Sequence, residues 1–133
     1  MLFRSMVGGF QGSGTTLSYL LSEGYWRRGL SLQRIAQLTS MNPARIFGLY
    51  PRKGTIRVGS DADLAVVDLD REETVTAAGL HSRADFSPYE GWSLRGWPVM
   101  TMCRGRWVHR DRQPVDGTAG WGRYVSRKGA AAR

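Results

Sequence analysis

The sequence predicts an α+β chain: a helical segment over residues 1–50, a β-rich segment over residues 51–125 and a basic, disordered tail over residues 126–133. Three observations lead there. Up to Ala36 the apolar residues fall at helical spacing, Leu17, Leu20 and Leu21 first, then Leu32, Ile35 and Ala36. Beyond Pro51 they fall in short runs bounded by turn residues. Between the two, in Asn42–Asp68, a capped helix passes directly into extended chain, the pattern of a joint between two layers.

Residues 1–14 are a Gly- and Ser-rich loop, a beginning more typical of mid-chain than of a domain's start. Its run Gly8-Gly9-Phe10-Gln11-Gly12-Ser13-Gly14 lacks the Gly-Lys-Ser/Thr of a phosphate loop and the preceding strand of a dinucleotide fingerprint. A helix is predicted from Thr15 to Glu23, closed by Gly24, and a second begins at Ser31, whose hydroxyl can accept a first-turn N–H. Asn42 caps a third helix, with Pro43 at its first position and Gly48 just past its end. Thr55–Val58 then reads as a strand, Gly59-Ser60-Asp61 as a turn, and Ala62–Asp68 as a strand with both faces largely buried. An acidic turn at Asp70–Glu73 leads to a short strand at Thr74–Thr76, and His81–Gly91 is a polar, aromatic loop. Val99–Arg110 reads as one long strand in which Gly105 marks a hairpin turn or a bulge.

The formal charge is +8, but residues 104–133 hold eight Lys/Arg against Asp111 and Asp116, so +6 of it lies there. A basic stretch of this kind can meet nucleic acid or anionic lipid; with no nucleic-acid-binding motif beside it, a solvated terminus is the simpler reading. Cys103 is the single cysteine, in an apolar strand where a small buried hydrophobe is expected, and it excludes an internal disulfide. No run is long and apolar enough to span a bilayer, and Met1-Leu2-Phe3-Arg4 lacks the pattern of a signal peptide. A reducing, cytoplasmic setting is the expectation.

The motifs carry a resemblance. Asn42-Pro43-Ala44-Arg45-Ile46-Phe47-Gly48-Leu49, followed by Lys53-Gly54 and Gly59-Ser60-Asp61-Ala62-Asp63-Leu64, resembles the C-terminal part of the cyclic amidohydrolases: hydantoinases, dihydropyrimidinases, allantoinases and dihydroorotases. His81–Gly91, Cys103–Val108 with Arg110-Asp111, and Gly120–Val125 resemble further hydantoinase segments. The likeness runs from Val7 to Lys128 and leans to the hydantoinase/dihydropyrimidinase branch, with allantoinase next. It implies a finer fold: the C-terminal helices of a TIM-barrel metal-dependent hydrolase, followed by part of its small β-sandwich (composite) domain. In the family the other strands of that sandwich come from the enzyme's N-terminus. Their absence here predicts an open sheet edge and uncovered apolar helix faces. A complete barrel takes about 250 residues, so 133 cannot hold one.

The resemblance also implies chemistry. Family members hydrolyse cyclic amides with two divalent metals, usually zinc, that activate a water and polarise the carbonyl. Gly8 and Gly9 match a loop whose backbone contacts the substrate ring's amide, though the family often has Asn where this chain has Gly8. The family's metal ligands are an H-x-H pair, a carboxylated lysine, two later histidines and an Asp ahead of that loop. This chain has only His81 and His109, neither in an H-x-H, and that Asp would lie ahead of Met1. The expectation is a chain with no catalytic residue and no metal or other cofactor of its own, inactive alone. Its partner would be the rest of an amidohydrolase barrel or a second copy in a homo-oligomer.

Two other classes remain open at this point: a free-standing β-rich interaction module, and a nucleic-acid-binding protein using the basic tail. Asp61 and Asp63, two apart in a turn, can serve acid–base chemistry or hold a cation, but setting the turn through backbone hydrogen bonds is the simpler role. His81 and His109 stand without carboxylate or cysteine partners at ligand spacing. Trp26, Trp92, Trp97, Trp107 and Trp121, spread among arginines, suit core or interface packing better than base stacking.

Overall fold

The computed structural model describes residues 12–80, 85–111 and 113–127. They form a small α+β structure, two helical runs packed beside one antiparallel sheet. Gly8, Gly9, His81 and all but the first two residues of the 126–133 tail lie outside the described residues.

The first helical run is α1 (Thr16–Tyr19), continued by the π-helical segment Leu20–Trp26. The second joins α2 (Leu32–Ala36), the π-helical segment Gln37–Met41 and α3 (Asn42–Ile46). Ser31 caps α2 as expected, its Oγ accepting from the Arg34 N–H at 3.2 Å. Asn42 does not cap α3. It has helical dihedrals, φ −66° and ψ −46°, because the chain reaches it already coiled. Pro43 has no N–H for an i−4 carbonyl, and its ring crowds that carbonyl. The π-type turn before it, where the Asn42 N–H donates to the Gln37 carbonyl, opens the helix at that point. Gly48 ends the run as predicted, at φ 67°, and the N–H groups of Leu49 and Tyr50 both reach the Ala44 carbonyl, at 2.8 and 3.0 Å.

The sheet holds β1 (Leu64–Thr74), β2 (Ser93–Cys103), β3 (Arg106–Arg110) and β4 (Gln113–Pro114), each antiparallel to the next in chain order. Gly105 marks a hairpin: Arg104 and Gly105 both take positive φ, 47° and 79°, between β2 and β3. Four expectations are corrected. Thr55–Val58 is not a strand; it pairs with no strand among the described residues, and Ile56 and Val58 are largely exposed. β1 is not buried on both faces but alternates, with Ala65, Val66 and Asp68 outward. The acidic residues 70–73 do not end it. They form an irregularity inside it, where the Asp68 carboxylate accepts from the Asp70 and Arg71 N–H groups at 3.0 and 3.2 Å. Consequently Thr74 closes β1 rather than opening a separate strand at Thr74–Thr76.

The core is Val75, Leu94 and Trp97, flanked by Leu80 and Tyr89, and Trp97 donates its indole N–H to the Leu94 carbonyl at 2.8 Å. The first helical run packs on β2. Of the predicted leucine stripe only Leu21 is buried, Leu17 and Leu20 being half-buried, and Thr15, Ser18, Ser22, Glu23 and Gly24 make up the rest of the buried face. Small residues suit that face because the backbones meet closely: a Cβ on Gly96 would stand 2.7 Å from the Leu21 Cβ. Leu17 and Leu32 are left facing open space, and of the second helix's apolar residues only Ile35 and Ala44 are buried.

Candidate functional site

That open space is a groove of about 780 Å³ between the helices and β1. Leu17, Leu21, Leu32 and Ile35 line its helical wall; Leu64, Val67 and Leu69 line the wall formed by β1. The bulge between Val66 and Val67 is what lets Leu64 and Val67, an odd number of residues apart, share one face. Lys53, Asp61 and Asp63 close one end of the groove.

The segment from Pro51 to Asp61 brings those three together. Gly54, at φ 82°, rests on the second helix where any Cβ would fall 2.6 Å from the Ala44 Cβ. The Asp61 N–H returns to the Arg52 carbonyl at 2.9 Å, and the Ser60 hydroxyl donates to the Pro51 carbonyl at 2.7 Å. Within this loop the Lys53 ammonium stands between two carboxylates, 2.9 Å from Asp61 and in direct contact with Asp63. Arg52 reaches the same Asp61 oxygen, its Nε 2.9 Å from Oδ2. The remaining oxygen of Asp63 accepts the Arg104 N–H at 2.7 Å, tying the loop's foot to the β2–β3 hairpin.

These contacts set the protonation. Hydrogen bonds from Lys53 and Arg52 hold the Asp61 carboxyl below its ordinary range. Burial pushes Asp63 up, but the bonds from Lys53 and the Arg104 backbone outweigh it, and it too lies low. Partial burial pulls Lys53 down; Asp63 and Asp61 outweigh that and hold its ammonium above its ordinary value. Both carboxylates are thus charged and occupied, which suits neither for taking a proton from a substrate. Their structural role stands, though through an ion cluster and a hairpin tie rather than the predicted hairpin of Thr55–Val58 with Ala62–Asp68. Lys53 is the residue that sequence reasoning passed over; its adjacency to Gly54, ahead of two spaced acids, was the available signal.

Two of the tryptophans are likewise engaged. Trp97 is core, and Trp121 donates to the Cys103 carbonyl at 2.8 Å while Arg104 and Arg106 stack on its ring, 4.5 and 5.2 Å from the centroid. His109 sits in β3 opposite Thr101. Among the described residues no three of His, Cys, Asp or Glu stand together in a way that fits a metal ion, so no metal chemistry is assigned to them. No helix among them is long and apolar enough to cross a membrane.

The sequence profile of the amidohydrolase family matches residues 11–108 of the chain. The chain belongs to the amidohydrolase family. This amidohydrolase chain is 42% identical over 111 residues to a D-hydantoinase of Geobacillus stearothermophilus, covering 84% of its own length and 23% of that protein's. It is 46% identical over 119 residues to an allantoinase of Rubrobacter xylanophilus, covering 90% and 26%. Among solved structures it superposes on the D-hydantoinase (dihydropyrimidinase) of Thermus sp. with a TM-score of 0.87 at 36% identity, covering 94% of this chain and 27% of that one. The amidohydrolase chain therefore spans about a quarter of the length of the relatives it matches.

Proposed function

We propose that this chain serves as the C-terminal part of a metal-dependent cyclic amidohydrolase of the hydantoinase/dihydropyrimidinase branch, hydrolysing a cyclic amide C–N bond only together with the rest of the barrel. The observation that carries this reading is the asymmetry of coverage, 84% of this chain against 23% of the D-hydantoinase it resembles. The uncovered groove and the open edge of β1 support it, since each is a surface that a larger fold would close. On this reading the helices belong to the end of the barrel and the sheet to the small composite domain. Gly8 and Gly9 lend backbone groups to the substrate loop, and the metals, usually two zinc ions, sit on ligands supplied from elsewhere in the enzyme. Homo-oligomer formation through the composite domain is the accompanying expectation.

The test is a chimera in which this chain replaces the matching quarter of the Geobacillus D-hydantoinase. Ring-opening of hydantoin or dihydrouracil by the zinc-loaded chimera, with none by the isolated 133-residue chain, is the expected result. Turnover by the isolated chain, or a folded, zinc-loaded chimera without turnover, would overturn the reading.

A further inference from the structure

We infer that residues 51–61 form a releasable strap over one end of the groove, and that the Lys53–Asp63 ion pair is its lock. The strap adds no side chain to the core of Val75, Leu94 and Trp97, and its apolar residues Ile56 and Val58 are 86% and 101% exposed. Segments with few buried apolar contacts are those that open locally at low free energy.

Both ends of the strap are fixed. Before it, Leu49 and Tyr50 are bonded to the Ala44 carbonyl; after it, the Ala62 carbonyl accepts the Gly105 N–H at 3.0 Å. At its foot the Lys53 N–H donates to the Leu49 carbonyl at 3.0 Å, and the other ties within it run from the strap to itself: Arg52 to Asp61, Asp61 N–H to Arg52, Ser60 to Pro51, Lys53 to Asp61. These fold the loop but do not hold it down. Gly54 rests on Ala44 by contact alone. Lys53 with Asp63 is the side-chain tie, among the described residues, that runs from the strap to the sheet side, because Asp63 is itself held by the Arg104 N–H. Gly54, Thr55 and Ile56 line the groove, so lifting the strap widens its mouth. The groups facing the lock are Arg52 and Asp61 from the strap and the Arg104 backbone from the hairpin, and the charged carboxylates and ammonium keep it closed near neutral pH. The inference stands independently of the catalytic role proposed above.

Amide hydrogen exchange on the 133-residue chain tests it. In Lys53→Met, which keeps the alkyl stem, the Lys53 and Asp61 amides should exchange at least about fivefold faster than in the parent, while those of β2 and β3 change little. Asp63→Asn, which keeps the acceptor for the Arg104 N–H but removes the charge, should act alike. The unmodified chain should show the same selective loss in about 1 M salt, where screening reaches within about 3 Å. Strap amides that ignore both the substitutions and salt would overturn the inference. So would strap and sheet amides accelerating by one common factor, since the opening would then be global.

Discussion

The Arg95 guanidinium carbon sits over the Trp26 ring, 3.6 Å from its centroid, while the Trp26 indole donates to the Leu69 carbonyl at 3.0 Å. One side chain at the end of the first helical run thus touches both long strands, β1 through a hydrogen bond and β2 through a stacked cation. Arg95 is held in place by Asp70 and, more distantly, Glu72. Trp26→Phe, which loses the bond to Leu69 but keeps a ring, should lower stability by about 1 kcal/mol. Trp26→Ala, which loses both contacts, should cost roughly 2 kcal/mol. Urea unfolding midpoints check this; equal losses for the two variants would show that the ring face contributes nothing.

Gly96 should resist any side chain. At φ 97°, with a Cβ destined for 2.7 Å from Leu21, Gly96→Ala combines left-handed strain with a backbone-anchored clash. The expected loss is roughly 3 kcal/mol or more, read as a fall in thermal midpoint. A variant as stable as the parent would mean that helix and sheet can separate without cost.

Truncating the core should be comparably severe. Leu94 is 1% exposed between Val75 and Trp97, so Leu94→Ala should cost about 2–4 kcal/mol through lost burial and the cavity left behind. Trp97→Phe removes the donor to the Leu94 carbonyl, for a loss of about 1 kcal/mol. Denaturant titration followed by far-UV dichroism reports both.

The ion cluster gives stability a defined pH window. Asp61 and Asp63 have folded-state pKa values below their ordinary 3.8, so their contribution is present above that value and lost as pH falls through the lowered ones. Lys53 is raised above its ordinary 10.5, so its contribution is complete below that value and lost as pH rises through the raised one. Stability from this cluster should be level between these limits and decline outside them. In Lys53→Met the decline attributable to the cluster should be reduced on the acid side and absent on the alkaline side. A pH profile of the unfolding midpoint identical in parent and variant would refute the assignment.

What the sequence made legible was governed by how local the cause is. The Ser31 cap, the Gly48 helix end and the Gly105 turn rest on the conformational preferences of single residues, and each is where expected. The family was legible because Asn42–Leu49 and Gly59–Leu64 are long enough strings to be specific. Asn42 misled because a cap and a mid-helix residue ahead of proline share one dipeptide; the π-type turn that reconciles them has no short signature. Ser93–Pro98 carries no local strand signal, since Gly96 and Pro98 argue against one. Pairing with Val67–Thr74 and the close approach of Leu21 override that preference. Thr55–Val58 shows the converse: strand-forming residues without a neighbouring strand to pair with stay irregular, since a ladder needs two sides.

The same distinction governs the candidate site. Asp61 and Asp63 stood out as spaced acids, but their meaning depends on Lys53 and on the Arg104 amide, 41 residues from Asp63. No local pattern reports a partner so distant. Gly8 and Gly9 lie outside the described residues, and their part in a substrate loop belongs to the proposal made above.

The interruption of β1 between Asp68 and Glu72 has a bearing on how the chain behaves at high concentration. A foreign strand approaching that edge meets a short ladder on either side of a kink that carries Asp68, Asp70 and Glu72 outward. It cannot zip along in a single register, because the ladder positions on the two sides of the kink are offset. The edge is thereby selective: indiscriminate stacking into fibres is discouraged, while a partner shaped in two pieces is admitted.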